Sequence, residues 1–288
     1  MKIGVAFPFS HRTSVEFIAQ ACKHFEEAGF DALWVPEHVL FFSEYESKYP
    51  YSDNARIPGE PDGLLDPFTA LTFAASQTER LRLGTGICLV PQRQPVYTAK
   101  MVADVDYLSG GRFEFGVGIG WLREEFEALG VPFGARAARC VEYIEAMKAL
   151  WTTEGLVSYQ GQTVQFEGCY FNPKPVQSPH PPIFFGGESA AALARVAGLG
   201  DGWYGYNLDP ESGRAHLARL DEALSAAGRR REDIQCYVGP GRLNRLAPGA
   251  VAAYEDAGFD QLILPLFAQT VDELERRTQR LLSLCGRA

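Results

Sequence analysis

Leu33 to Pro36 is a short apolar run that empties into Glu37 and His38. Histidine changes charge near neutral pH, so just past a strand end it can give or take a proton in a reaction. It can also be a satisfied capping group; its place ahead of an aromatic-rich stretch favours the functional reading. Glu37 is equally placed for proton work, or for pairing with a neighbouring arginine. Further on, Arg112 to Trp121 reads RFEFGVGIGW. Phe113, Phe115 and Val117 share one face of a strand. Gly116, Gly118 and Gly120 strip side chains from its end, so the backbone can approach a flat or anionic ligand. A glycine-rich turn without a ligand is the alternative. A dinucleotide fingerprint G-x-G-x-x-G is absent, because the third glycine falls on Trp121 in one frame and on Arg123 in the other.

Phe185-Gly186-Gly187-Glu188-Ser189 leads into an alanine-rich helix. Two glycines and a serine N-cap expose amides at a helix start, a seat for phosphate by geometry and by dipole. An ordinary capped helix is the alternative, and Glu188 is an unhelpful charge there unless it points away. Gly84 and Gly86 interrupt another strand, which marks a bulge, with or without close ligand approach. Arg136 and Arg139 are candidates to pair with an anionic tail, although either alone reads as a surface residue. Trp203 is a pocket wall or core.

Strands and helices alternate along the chain. Strands are expected over 2–8, 33–36, 81–90, 112–118, 182–185, 202–205, 234–238 and 261–265. Between them lie helical patterns, the first capped by Thr13 with Glu16 three residues on. The others cover 67–78, 95–108, 122–129, 137–151, 190–199, 214–227, 248–257 and 271–284. FEEAGFDALWV at 25–35 returns as YEDAGFDQLIL at 254–264, with a looser third case in GLGDGWY at 198–204. One helix-to-strand corner used at both ends of the chain indicates one array of βα units. The expectation is a single α/β domain over 1–288, a (β/α)8 TIM barrel with insertions after strands 2 and 4. An open doubly wound sheet is the rival. The insertions are an aromatic loop at about 40–64 and a hairpin with a proline-rich run at about 155–182.

The chain has 288 residues, 46% of them apolar, with a formal charge of −9 and no dense Lys/Arg run. That argues against a nucleic-acid surface or an anionic membrane face. No apolar run approaches the ~18 residues of a membrane span. The start MKIGVAFPF enters a strand at once and carries no secretory leader pattern. Six scattered cysteines form no CxxC, and the five histidines show no metal-ligand spacing. The expectation is a cytoplasmic protein with reduced thiols and no metal.

Four stretches carry a resemblance: LWVPEH at 33–38; LGTGI at 83–87; LSGGR at 108–112 through GIGW at 118–121; and GGES at 186–189 through GDGW at 200–203. In this order the chain resembles the bacterial-luciferase-like superfamily of flavin- and deazaflavin-dependent enzymes, and within it the coenzyme F420-dependent oxidoreductases. The resemblance implies a ring lying over the strand ends, a non-prolyl cis peptide behind it at Gly86–Ile87, and a phosphate on Gly186, Gly187 and Ser189. It implies that Gly118, Gly120, Trp121 and Arg136 complete the cofactor site, with His38 and Glu37 as catalytic groups. Some hydride-transferring relatives carry a glutamate where this chain has Trp121, which shifts the proton to His38 or Glu37. Three readings follow: an F420-dependent oxidoreductase acting on a small organic substrate, an FMN-dependent monooxygenase, and a non-catalytic flavin-binding paralogue. A homodimer is expected by the same resemblance.

Overall fold

The helix-to-strand corners recur because each sets an aspartate at the foot of a strand. In the computed structural model, Asp31 accepts from the amide of Ile3 (2.7 Å), Asp201 from Ile183 (2.9 Å) and Asp260 from Cys236 (2.7 Å). Each carboxylate thus ties its own strand to the one beside it. Gly29 and Gly258 turn the chain in the left-handed region at two of these corners. The structure describes residues 1–58, 63–240, 246 and 249–287.

The strands are β1 (Lys2–Ala6), β2 (Ala32–Val35), β3 (Arg82–Thr85), β4 (Cys88–Leu89), β5 (Phe113–Gly118), then β6 (Val157–Gln160) and β7 (Gln165–Cys169). They continue with β8 (Ile183–Gly186), β9 (Gly202–Tyr206), β10 (Gln235–Gly239) and β11 (Gln261–Pro265). The sheet runs β3-β2-β1-β11-β10-β9-β8-β5-β4, and β3 also pairs with β5, which closes it. All pairings in it are parallel, so the architecture is the (β/α)8 barrel that the alternation implied. Around it lie α1 (Val15–Glu27), α2 (Pro67–Gln77), α3 (Pro95–Ser109), α4 (Arg123–Ala128), α5 (Arg136–Thr152), α6 (Ala190–Leu199), α7 (Pro210–Ala226), α8 (Ala250–Ala257) and α9 (Val271–Leu284). The antiparallel pair β6–β7 forms the expected hairpin outside the barrel. All six cysteines are free, and among the described residues no helix is long and apolar enough to cross a membrane.

Aromatic rings fill the barrel. Trp34 meets Phe184 at 5.9 Å and Tyr237 at 5.8 Å, both edge-on, and Phe184 stacks on Tyr237 at 4.3 Å. The indole of Trp34 donates to Gln261 at 3.0 Å. This packing accounts for glycines that the sequence alone left open between bulge and ligand approach. A Cβ on Gly84 would lie 2.4 Å from the Trp34 ring, and one on Gly116 would lie 1.9 Å from the carbonyl oxygen of Thr85.

Several boundaries differ from the sequence reading. The third stave is not continuous over 81–90: it breaks at Gly86–Ile87, whose peptide is cis, and ends in a short 3-10 turn at Val90–Gln92. The first helix is capped by Ser14 instead of Thr13, because Ser14 accepts from the Phe17 amide. Helix α7 starts at Pro210, before the expected Arg214, with Asp209 as its cap. Helix α8 is seen from Ala250; Pro248, the expected start, lies outside the described residues, as do 59–62 of the aromatic loop. Replacing Gly84 with Ala forces a methyl against a fully buried indole. We expect a loss of about 1–3 kcal/mol, read from the urea unfolding midpoint.

Candidate active site

The mouth of the barrel is built from strand ends, and β5 contributes most of it. Its strand rule puts Phe113, Phe115 and Val117 outward under the helices, all fully buried. Gly118 faces the other way, where a Cβ would fall 2.1 Å from the Ile87 side chain; a Cβ on Gly186 would fall 2.8 Å from it. The two glycines therefore make room for Ile87, which leaves a half-buried apolar platform at the top of the barrel. Gly120 turns in the left-handed region above Phe126.

The chain then enters α4, and this short helix organises His38. Trp121 lies just ahead of the helix, whose first turn carries Glu124 and Glu125. Glu125 is completely buried and accepts four hydrogen bonds. Its Oε2 meets His38 Nδ1 at 3.1 Å and Gln92 Nε2 at 3.0 Å; its Oε1 takes the amides of Val39 (2.7 Å) and Leu40 (3.1 Å). Burial would raise the carboxyl pKa, but His38, Gln92 and the Leu40 amide outweigh it and hold it below the usual range. Sequence reasoning missed Glu125. Its place in the short helix expected over 122–129 was visible, but nothing in the sequence distinguished it from Glu124.

Glu37 is not beside His38's chemistry. It is buried, accepts from the Leu89 amide at 2.6 Å, and pairs with Arg93, which also pairs with Asp66. This network clamps the end of β2 to the bulge between β3 and β4, and it is the arginine pairing that the sequence left open for Glu37 beside proton work. A carboxylate engaged this way serves position, since leaving either partner alone in the interior is costly.

The loop after β2 folds across the mouth. Its amides at Glu46 (2.6 Å) and Ser47 (3.1 Å) donate to Glu124, and Arg123 donates from its amide to the Ser47 hydroxyl (2.9 Å). Trp121 meets His38, Tyr45 and Tyr49 edge-on at 5.9, 5.8 and 5.3 Å, and Phe41 lies 5.1 Å from the His38 ring. On the far side, Tyr51 packs on Tyr206 at 4.9 Å and donates to Glu188 at 3.2 Å. Glu188 also accepts from the Tyr206 amide at 2.9 Å, so its side chain does turn away from the seat. Burial pushes its pKa up against those two donors.

The candidate anion seat lies at the start of α6. Ser189 caps it by accepting from the Ala192 amide at 3.2 Å, and the Gly187 carbonyl is held by the Trp203 indole at 3.0 Å. Trp203 is fully buried, a core residue that fixes the seat from behind. Arg136 donates to the carbonyls of Gly120 (3.2 Å) and Phe133 (3.0 Å). Its pKa is lowered by burial and by the nearby charges of Arg123 and Arg195. Among the described residues none of these three arginines makes an ion pair, so the charge at this edge is uncompensated. Arg139 instead donates along its helix to Tyr143 at 2.6 Å.

The mouth of the closed parallel barrel thus joins a loop folded across it, a histidine held by a buried carboxylate and a serine-capped helix start at the rim. The chain belongs to the luciferase-like monooxygenase family, whose model matches residues 1–243, and it is an oxidoreductase of that class. It is 32% identical over 267 residues to uncharacterized protein Rv0953c of Mycobacterium tuberculosis (strain ATCC 25618 / H37Rv), covering 91% of this chain and 92% of the relative. It is 38% identical over 130 residues to the FMNH(2)-dependent dimethylsulfone monooxygenase of Pseudomonas putida, covering 44% of this chain and 35% of that one. Its fold matches that of an F420-dependent secondary alcohol dehydrogenase in complex with an F420-acetone adduct with a TM-score of 0.74, at 15% identity and over 97% and 98% of the two chains.

The Glu124 contacts give the lid a pH dependence. Slight burial opposes the shift, but hydrogen bonds from Ser47 and from the amides of Glu124 and Glu46 lower its pKa from 4.5 to about 2. A depressed carboxyl stabilises the docked loop fully above its ordinary pKa and loses that effect as pH falls toward the depressed value. Hydrogen exchange at the Glu46 and Ser47 amides, relative to their intrinsic rates, should therefore quicken as pH drops from 4.5 toward about 2. Glu124→Gln should show the faster exchange already at neutral pH.

Proposed function

We propose that the protein is an F420-dependent oxidoreductase that moves a hydride between the deazaflavin and a small organic substrate, while His38 holds or releases the accompanying proton. The observation that carries this reading is the meeting of three parts at one barrel mouth: the Ile87 platform, the anion seat and the Glu125-bound His38. The residues fit such a cofactor. Ile87 with the backbones of Gly86, Gly118 and Gly186 supports a flat ring, since no side chain rises from the glycines. Gly187 and Ser189 offer amides to a phosphate, and Arg136, with no carboxylate partner among the described residues, supplies charge to it. Gly120 shapes the turn that brings Trp121 over the mouth. The redox chemistry belongs to the cofactor; the protein positions, shields and moves a proton. Trp121, Tyr45, Tyr49 and Phe41 line the approach to His38, which favours an apolar or aromatic substrate.

A second reading, an FMN-dependent monooxygenase, is favoured by Trp121, which sets an indole edge-on to His38 at the position where some hydride-transferring relatives carry a glutamate. The named activity of the Pseudomonas putida relative supports it as well. Glu37 serves both readings as a clamp on the bulge.

Fluorescence titration of the purified protein with F420 and with FMN separates the two. The first reading requires saturable binding of F420; tight FMN binding with none for F420 overturns it. Arg136→Ala should weaken binding of the preferred cofactor by about tenfold or more. His38→Ala should leave that binding unchanged and lower turnover by about 10²–10⁴-fold.

A further inference from the structure

We infer that Glu125 is a positioning residue that fixes His38 as its Nδ1–H tautomer, so that Nε2 is presented as a proton acceptor. The inference deepens the proposed function and rests on His38 as its proton-handling group.

The division of labour between the two carboxylate oxygens carries the argument. Oε1 is committed to the amides of Val39 and Leu40, which can only donate. Oε2 receives Gln92 Nε2 and faces His38 Nδ1. An ionised carboxylate has only acceptors to offer, so the hydrogen on that contact must come from the imidazole. Glu125 is ionised because His38, Gln92 and the backbone amides favour the charged form over the cost of burial. The neutral ring therefore carries its proton at Nδ1 and keeps its lone pair on Nε2. Around the ring are Trp121 and Phe41; the carboxylates next in sequence to His38 and Glu125 are engaged elsewhere, Glu37 with Arg93 and Glu124 with the loop amides. When Nε2 takes up a proton, the ring becomes a cation beside a buried anion, and the pair is neutral overall.

Glu125→Gln reverses this logic. A carboxamide has a single oxygen, and the two backbone amides claim it. The NH2 group must then occupy the place of Oε2, with two hydrogens to donate. Gln92 can accept one of them, because its own Oε1 is buried without a partner and its amide can turn over. His38 can accept the other only by giving up the proton on Nδ1. The variant is thus expected to hold His38 as Nε2–H, with a donor presented where an acceptor was.

The test is long-range ¹H–¹⁵N correlation of histidine-labelled protein without cofactor, above the pH at which His38 is neutral. Its five histidines allow assignment by single replacement. Wild type and Glu125→Asp should show His38 as Nδ1–H, and Glu125→Gln should show Nε2–H. Turnover in Glu125→Gln should fall by about 100-fold or more with little change in KM. Wild-type His38 as Nε2–H, or Nδ1–H retained in a folded Glu125→Gln, overturns the inference; the wild-type spectrum decides it even where the variant fails to fold. An inverted tautomer with undiminished turnover leaves Glu125 as the positioning group and overturns the role given to His38.

Discussion

The mouth of this barrel depends on one buried carboxylate. Glu125 has no exposed surface, yet it remains an anion because four donors converge on it from two segments of chain, 38–40 and Gln92. Taking a charge out of water is tolerable only with such full compensation. The compensation has a structural consequence. The Val39 and Leu40 amides, the His38 ring and Gln92 cannot move independently, because each would leave the anion short of a partner. The end of β2, the turn after β4 and helix α4 are thereby locked together.

From that anchor the lid follows. Glu124, one residue earlier on α4, takes two further amides of the same loop, and Glu188 takes the Tyr51 hydroxyl on the opposite rim. Three carboxylates thus draw one aromatic segment across the strand ends, and each does so by meeting donors that the loop cannot satisfy within itself. The rings of Tyr45, Tyr49 and Trp121 fill the space between these ties and bring an apolar wall up to His38. Charge on the rim thus holds the roof, while the surface facing the chemistry is aromatic.

Below the mouth, packing decides what reaches it. Trp34, Phe184, Tyr204 and Tyr237 fill the barrel as a solid core. Gly84 and Gly116 are small because Trp34 and the Thr85 carbonyl occupy the space their side chains would need. One layer up, Gly118 and Gly186 are small for Ile87, and Ile87 becomes the surface on which a ligand would rest. The run of glycines along the strand ends therefore records two successive packing layers, and only the uppermost is free to face a ligand.

Much of the architecture was legible in the sequence, and for local reasons. The βα alternation, the repeated Ala-Gly-Phe-Asp corner, the bulge marked by Gly84 and Gly86 and the Gly187–Ser189 helix start are each set by a few adjacent residues whose backbone preferences act at short range. His38 was legible for the same reason, as a residue just past a strand. The choice of Ser14 over Thr13, and of Asp209 as the cap of α7, turned on which hydroxyl or carboxylate reached a free amide in three dimensions. Arg93 and Glu125 lie 56 and 88 residues from Glu37 in sequence, and their meeting with Glu37 and His38 needed the closed barrel. A carboxylate shows its type in the sequence, but whether it carries a proton, clamps a bulge or orients a histidine depends on which donors surround it. Glu37 was drawn to Arg93 and Glu125 to His38 because burial demanded a partner for each charge, and only the tertiary structure set those partners within reach.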